Sequence, residues 1–466
     1  MWMEKHLFAA YAWSFHHVGD TSIMPGLLST VHRQKPGVPV HVMAYQVESH
    51  RDYPQVGTYL RQFSPNSTVH PNVFRRMLQD NEAGCDAWRS FVQRWGRLAL
   101  ENFEKGRLGE RESAYIAHDL LERLPLELLE ELRRNKPEIA MAIADAGFAV
   151  YNSSTSLSYG RLGVRNLWKA ILPMMMPMLI ARAANVPYGF SPLSFEALDW
   201  PIPLLYRPLF GDARFLYCRD SDSLRHLQQH GLLNRSSGVR PDNCLYFEGD
   251  DEPWAESFME AHGLKDKGFI GLMLRIPDPA PGSGDPLTSS VSAGRIAGHM
   301  RKNKEFLERW IAETGMKVLI CHETTASINM SREALWGILS EEIREHCVYM
   351  DDFWNAGQAR SMYRRMRMLV SMELHSALLA LTAGTPVIHH PLSESGRKKE
   401  MLHDYGIGDW LLDMDACTSD ELAAVAVRIH KHYPESERRV RELMSALRHM
   451  GDATVSEMAL NWRCDP

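Results

Sequence analysis

Paired cysteines are missing from this sequence. Its seven cysteines, at 85, 218, 244, 321, 347, 417 and 464, form no CxxC pair, and the number is odd. That argues against a disulfide framework and a cysteine-based zinc site, and for reduced thiols in a cytoplasmic protein. A long apolar run is missing as well. The most apolar stretch, Ile171 to Ala181, contains Pro173 and Pro177 and is far shorter than the ~20 residues that span a bilayer. It reads as a buried helix. No charged segment leads into a cleavable apolar stretch near the start, so no secretory leader is expected. Nor is there an excess of positive charge. Lys and Arg number 52 against 58 Asp and Glu, a net charge of -6, which argues against a nucleic-acid binder. An anionic substrate remains compatible, because local charge governs a site. No repeat of solenoid period is present.

What is present is an ordinary globular composition, 45% hydrophobic and 24% charged, over 466 residues. That length predicts two domains, each with its own core. Leu7 to Trp13 reads as a first strand and Val38 to Tyr45 as a second. A helix from about Ser22 to Val31 lies between them, the opening of a βαβ unit. Residues 50–140 are charged and helical in pattern, with no strand signal, and read as a helical insertion in the first domain. Strand signals return at Gly147 to Tyr151 and Arg214 to Cys218. A helix from about Asn166 to Asn185 separates them. Further short apolar runs follow at Phe269 to Leu274, Lys317 to Cys321, Cys347 to Met350, Met368 to Ser371 and Pro386 to His389, separated by helical segments. That alternation means a second parallel sheet. Pro277 to Ser292 reads as a loop open to proteolysis, and the last ~45 residues as helices. The expected fold is α/β: two Rossmann-like, doubly wound domains facing a cleft, over 1–262 and 263–466.

In open parallel sheets, ligands bind beyond the carboxyl ends of the strands. The polar residues at those ends are Asp20, Asn152 to Ser156, Arg219, Arg275, His322-Glu323, Asp351-Asp352, and Glu373 with His375. The segment from Met368 to His389 is the most informative. Its strand ends at Ser371, and Leu374, Leu378 and Leu381 then mark one helical face. Gly384 stops the helix and Pro386 opens the next strand. His375 therefore falls in the first helical turn, where backbone N–H groups attract anions and a histidine can move a proton near neutral pH. Packing of the turn is the alternative. Arg219 suits either an anion or an internal ion pair, and Arg397 with Lys398 either an anion or solvent. Arg360, Arg364, Arg365 and Arg367 form a basic helix end, a solvent face or a contact for an anionic lipid-linked molecule. The pairs His16-His17 and His389-His390 lack further ligands at zinc-like spacing, so no metal site is expected. Met174-Met175-Met176 reads as core.

These motifs, in this order, resemble the polysaccharide pyruvyl transferases. Gly19-Asp20 follows the first strand, and Arg219-Asp220-Ser221-Asp222-Ser223 matches the family's Arg-Asp-x-x-Ser. Pro241-Asp242 lies some twenty residues later, Arg275 ends a strand, and Ser371-Met372-Glu373-Leu374-His375 precedes a small-residue helix with Gly384 and Pro386. The resemblance runs from about residue 7 to 415. It departs at Glu373, where the family usually has arginine, and at Asn152-Ser153-Ser154, where the family often has glycines. The resemblance implies a fold like that of B-type glycosyltransferases (GT-B). It also implies transfer of a pyruvyl group from phosphoenolpyruvate, as co-substrate and without another cofactor, to a sugar of a surface glycan or its precursor. His375 would be the acid–base, with Glu373 and Asp20 as further catalytic candidates. Arg219, Arg275, Ser371, Asn152, Arg397 and Lys398 would bind substrates. The partners implied are phosphoenolpyruvate and a saccharide, free or lipid-linked, with at most peripheral membrane contact. A nucleotide-sugar glycosyltransferase and a non-catalytic glycan or anion binder are the alternative readings.

Overall fold

The computed structural model describes residues 5–13, 15–79, 84–160, 166–277 and 291–463. Most of the loop read at Pro277 to Ser292 falls outside the described residues. The chain divides into two compact units. The first comprises Met1–Trp13, Leu27–Asn243 and Met450–Pro466, and the second Ser14–Gly26 and Cys244–His449. The units are therefore not two consecutive halves. In the first, the returning C-terminal end is tied in where Arg463 N donates to the Gly147 carbonyl at 2.8 Å. In the second, residues 14–26 are tied in by Val18 N, which donates to the Glu323 carbonyl at 3.0 Å.

The first unit is built on seven parallel strands: β1 (Leu7–Ala12), β2 (Val40–Ala44), β3 (Ser67–His70), β4 (Phe148–Tyr151), β5 (Tyr188–Leu193), β6 (Leu216–Cys218) and β7 (Ser237–Val239). Their spatial order is β3-β2-β1-β4-β5-β6-β7. The second unit has five: β8 (Phe269–Leu274), β9 (Lys317–His322), β10 (Cys347–Tyr349), β11 (Leu369–Ser371) and β12 (Val387–His389), ordered β10-β9-β8-β11-β12. Both orders run outward from the first strand and then reverse across it, which is the doubly wound Rossmann topology. β1, β4 and β8 are buried along their whole length, as expected of strands covered by helices on both faces.

The insertion expected at 50–140 is shorter than that. It contains β3, which pairs in parallel with β2, so the added helices begin only at Phe74 and run to Ala144. Ser-Thr-Val-His at a sheet edge holds one aliphatic residue in four, too little for a strand signal. Their core is the apolar face of the helices Asp86–Trp95 and Leu124–Asn135, with Trp88, Phe91, Leu128 and Leu132 buried. Two further strands carry no sequence signal. β5 reads Tyr-Gly-Phe-Ser-Pro-Leu, with two residues that disfavour strands, and β7 is three residues long. The methionine run 174–176 is buried in the helix Leu172–Ala183, as expected of core. Among the described residues, no helix is long and apolar enough to cross a membrane.

Candidate functional site

The second sheet reverses its order between β8 and β11, and the residues that follow these two strands are Arg275 and the turn carrying Glu373 and His375. The turn is built by Ser371. Its Oγ accepts from Glu373 N at 3.0 Å and donates to the Glu373 carbonyl at 2.7 Å. That closed turn starts the helix Leu374–Thr382 with His375 in its first turn. Gly384, at φ 81°, ends the excursion before β12. Ser371 thus shapes the turn through its own hydroxyl.

Glu373 is the N-cap residue, yet its side chain makes no capping bond. It pairs with Arg275 instead, Nε to Oε1 3.0 Å. The carboxylate that stands where an arginine is usual therefore fixes the neighbouring cation in place through its Nε.

His375 is only 6% exposed. A Cβ added to Gly19 would lie 2.0 Å from the His375 Cβ, so glycine is needed for this close approach. Gly19 N donates to Glu323 Oε1 at 2.8 Å, and the same oxygen lies 3.0 Å from His17 Nδ1. The other oxygen accepts from the Ser376 hydroxyl, which itself accepts from Tyr363 Oη at 2.9 Å. Glu323, fully buried at the end of β9, therefore gathers a histidine, a backbone amide and a hydroxyl around His375. The rings of His17 and His375 meet edge to face, centroids 6.1 Å apart.

Burial opposes charge on His17, but Asp20, Glu323 and Glu373 outweigh it and hold the imidazole up at about 9. Burial also opposes charge on Glu323, and His17, Ser376 and the Gly19 amide bring its pKa below the usual value. Near neutral pH the two form a charged pair. One ligand atom from each of His17, Glu323 and His375 lies within 4.8 Å of the others. This donor set could hold a divalent cation, but only after His17 lost its proton. The sequence marks Glu323 only as one of the polar residues that follow strands, and His17 only as half of a pair without zinc-like spacing, and it assigns neither a role. The available signal was that Glu323 directly follows a strand, as the other candidates do.

Asp20 lies in the first turn of the helix Val18–Gln34, half-buried, and acts on His17 through its charge. Arg397 and Lys398 sit half-buried on the 3-10 turn Arg397–Glu400 beyond β12. His389 and His390 are buried and pushed down to about 4 and about 3, which leaves them uncharged at neutral pH.

Arg219 differs from expectation. It is 1% exposed, and its guanidinium donates to Asp242 at 2.6 Å and to Ser194 at 3.1 Å. Asp220 accepts from the Ser223 amide and hydroxyl at 2.6 and 2.9 Å. The Arg-Asp-x-x-Ser run and the following Pro-Asp are therefore an internal lock at the ends of β5, β6 and β7. Asn152 is likewise an internal residue of the first unit. It donates to the Tyr11 carbonyl at 3.1 Å and accepts from Asn243 at 2.8 Å. The basic helix end is not a solvent face either. Arg360 pairs with Asp250, and Arg364 and Arg365 pair with Glu252 at 2.6 and 2.7 Å. The acidic stretch before β8 neutralises them, which removes the reason for a lipid contact there.

The family model described as polysaccharide pyruvyl transferase matches residues 17–390. The chain belongs to this family. No curated protein matches the chain. Among solved structures, it is similar to HepE of Anabaena in complex with UDP and glucose, at 9% identity over 98% of each chain and a TM-score of 0.52. It is also similar to the UDP-GlcNAc 2-epimerase of Neisseria meningitidis bound to UDP-GlcNAc, at 8% identity over 98% of this chain and 100% of that one, TM-score 0.51. MnaA of S. aureus with UDP gives 10% identity over 97% and 94%, TM-score 0.51. At such identities the likeness shows the fold alone, which is GT-B-like. In this member of the family, the early Gly19 and the late His375 are packed against each other.

Proposed function

We propose that this protein transfers the pyruvyl group of phosphoenolpyruvate to two hydroxyls of a saccharide. The enol CH2 gains a proton, and C2 gains one sugar oxygen. The second hydroxyl oxygen then displaces phosphate at C2, giving a cyclic ketal. Of the two hydroxyl protons, one balances the new methyl group and one leaves with the phosphate. The observation that carries this reading is His375, held in the first helical turn after β11 against Gly19 and beside the Glu323–His17 pair, in a chain of this family.

His375 serves as the acid–base group for these transfers, the kind of task worth ~10²–10⁴-fold in rate. The imidazolium of His17, fixed by Glu323, supplies positive charge where negative charge develops on the donor. Arg275, oriented by Glu373, takes the donor carboxylate or phosphate. Asp20 holds an acceptor hydroxyl. The acceptor is a sugar of a surface glycan or its precursor, and the reaction is cytoplasmic.

Thermal-shift measurement tests the donor. Phosphoenolpyruvate is expected to stabilise the protein, and Arg275→Ala is expected to lose that response. A response to UDP-GlcNAc with none to phosphoenolpyruvate would contradict the reading and favour a nucleotide-sugar transferase.

A further inference from the structure

The added helices of the first unit and residues 166–173 line a cavity of about 620 Å³, within the range of small-molecule sites. One wall is aromatic. Trp168 lies 6.0 Å from Trp88 and 6.0 Å from Phe103, centroid to centroid, so packing fixes its ring. Trp168 half-faces solvent, and its indole Nε1 is buried with no hydrogen-bond partner among the described residues. A buried N–H left unsatisfied is costly, and a ligand acceptor would relieve that cost.

The other walls carry charge. Arg75, Arg97 and Lys169 line the cavity with Glu101 and Glu104. The two carboxylates are engaged nearby: Glu101 pairs with Lys105 at 3.4 Å, and Glu104 accepts from Leu167 N at 2.6 Å. Arg75 lies over the Tyr45 ring at 4.2 Å and donates to its hydroxyl at 2.8 Å, contacts with a neutral group, and it has no carboxylate partner among the described residues. The cavity thus combines fixed indole faces, an unsatisfied donor and, in Arg75, a cation without a carboxylate partner among the described residues.

We propose that this cavity binds an anionic saccharide, a uronate or a sugar phosphate. The apolar face of the sugar ring stacks on indole, a hydroxyl accepts from Trp168 Nε1, and the cations take the anionic group in charge-assisted hydrogen bonds. The proposal does not rest on pyruvyl transfer, and its test contains no phosphoenolpyruvate. The full chain is titrated calorimetrically with glucuronate, glucose 1-phosphate, glucose and inorganic phosphate. At least one of the two anionic sugars is expected to bind about tenfold more tightly than glucose or phosphate. Which of them does so distinguishes carboxylate from phosphate as the anion. Trp168→Phe and Lys169→Ala are each expected to weaken that binding about five- to tenfold. Lys169 is exposed, so its variant folds even where the tryptophan variant does not. Absence of binding, equal binding of inorganic phosphate, or binding unchanged in Lys169→Ala would overturn the proposal.

Discussion

Each unit contains a buried carboxylate beyond a strand end that holds a cationic side chain, and the two clusters differ in what they leave accessible. In the first unit, Asp242 and Arg219 are 0% and 1% exposed, and the Arg219 guanidinium is spent on internal partners. In the second, Glu323 is as deeply buried, but the His17 side chain it holds is 28% exposed. Both clusters look alike as motifs, with cations and carboxylates at strand ends. One locks three strand ends together, and the other presents a charged ring to the surroundings of His375. Burying an ion pair demands full satisfaction of its hydrogen bonds. A site for a ligand instead keeps one side of the cluster open.

Four substitutions would break or sharpen this contrast. The largest effect is expected from His375→Ala, which should cut pyruvyl transfer by ~10²–10⁴-fold, the usual size of lost acid–base catalysis, with a cooperative melt retained. Steady-state turnover and a thermal melt on the same preparation check it. Arg219→Ala should do the reverse. It leaves Asp242 buried and unpaired, at a cost of ~3–5 kcal/mol, while the folded fraction keeps its affinity for phosphoenolpyruvate. Urea denaturation and donor titration separate the two outcomes. Weakened donor binding with unchanged stability would return Arg219 to the site.

The third prediction concerns pH. His17 has its pKa raised from 6.5 to about 9, so the stability it contributes is fully present below about pH 6.5 and lost as pH rises through about 9. A shift of this size is worth at most about 3–4 kcal/mol. Denaturation series across that window should show the fall in the native protein and a much smaller one in His17→Asn. The same slope in both would separate His17 from the pairing described. The smallest effect is expected from Gly19→Ala, ~1–3 kcal/mol from overpacking against His375, with turnover falling more than KM changes. Gly238→Ala in β7 is the control, because its nearest contact would lie at 4.0 Å. Equal effects of the two changes, by melting and kinetics, would mean that His375 yields without loss.

Much of the second unit was legible in the sequence, because β8, β9 and β11 are continuous apolar runs with polar residues directly after them. The strand–helix–Gly384–Pro386 pattern also placed His375 in its turn. The first unit was less legible. β3 and β5 hide in Ser-Thr-Val-His and in a run broken by Gly189 and Pro192, where tertiary pairing overrides local preference. Glu323 was not singled out because its partners, His17 and Gly19, lie about 300 residues away in the chain. Arg219 was misread for a related reason: an Arg-Asp-x-x-Ser run has the same letters whether its guanidinium faces a ligand or an aspartate. The role of Glu373 became visible only once Arg275 stood beside it.

The account turns on where the donor binds. A crystal of the protein soaked with phosphoenolpyruvate tests this directly. The expected result is donor density beyond the ends of β8 and β11, with its anionic groups within hydrogen-bond reach, about 3 Å, of Arg275 and its enol carbon facing His375. Donor density at Arg219, or no donor density in crystals that take up UDP-GlcNAc, would contradict it.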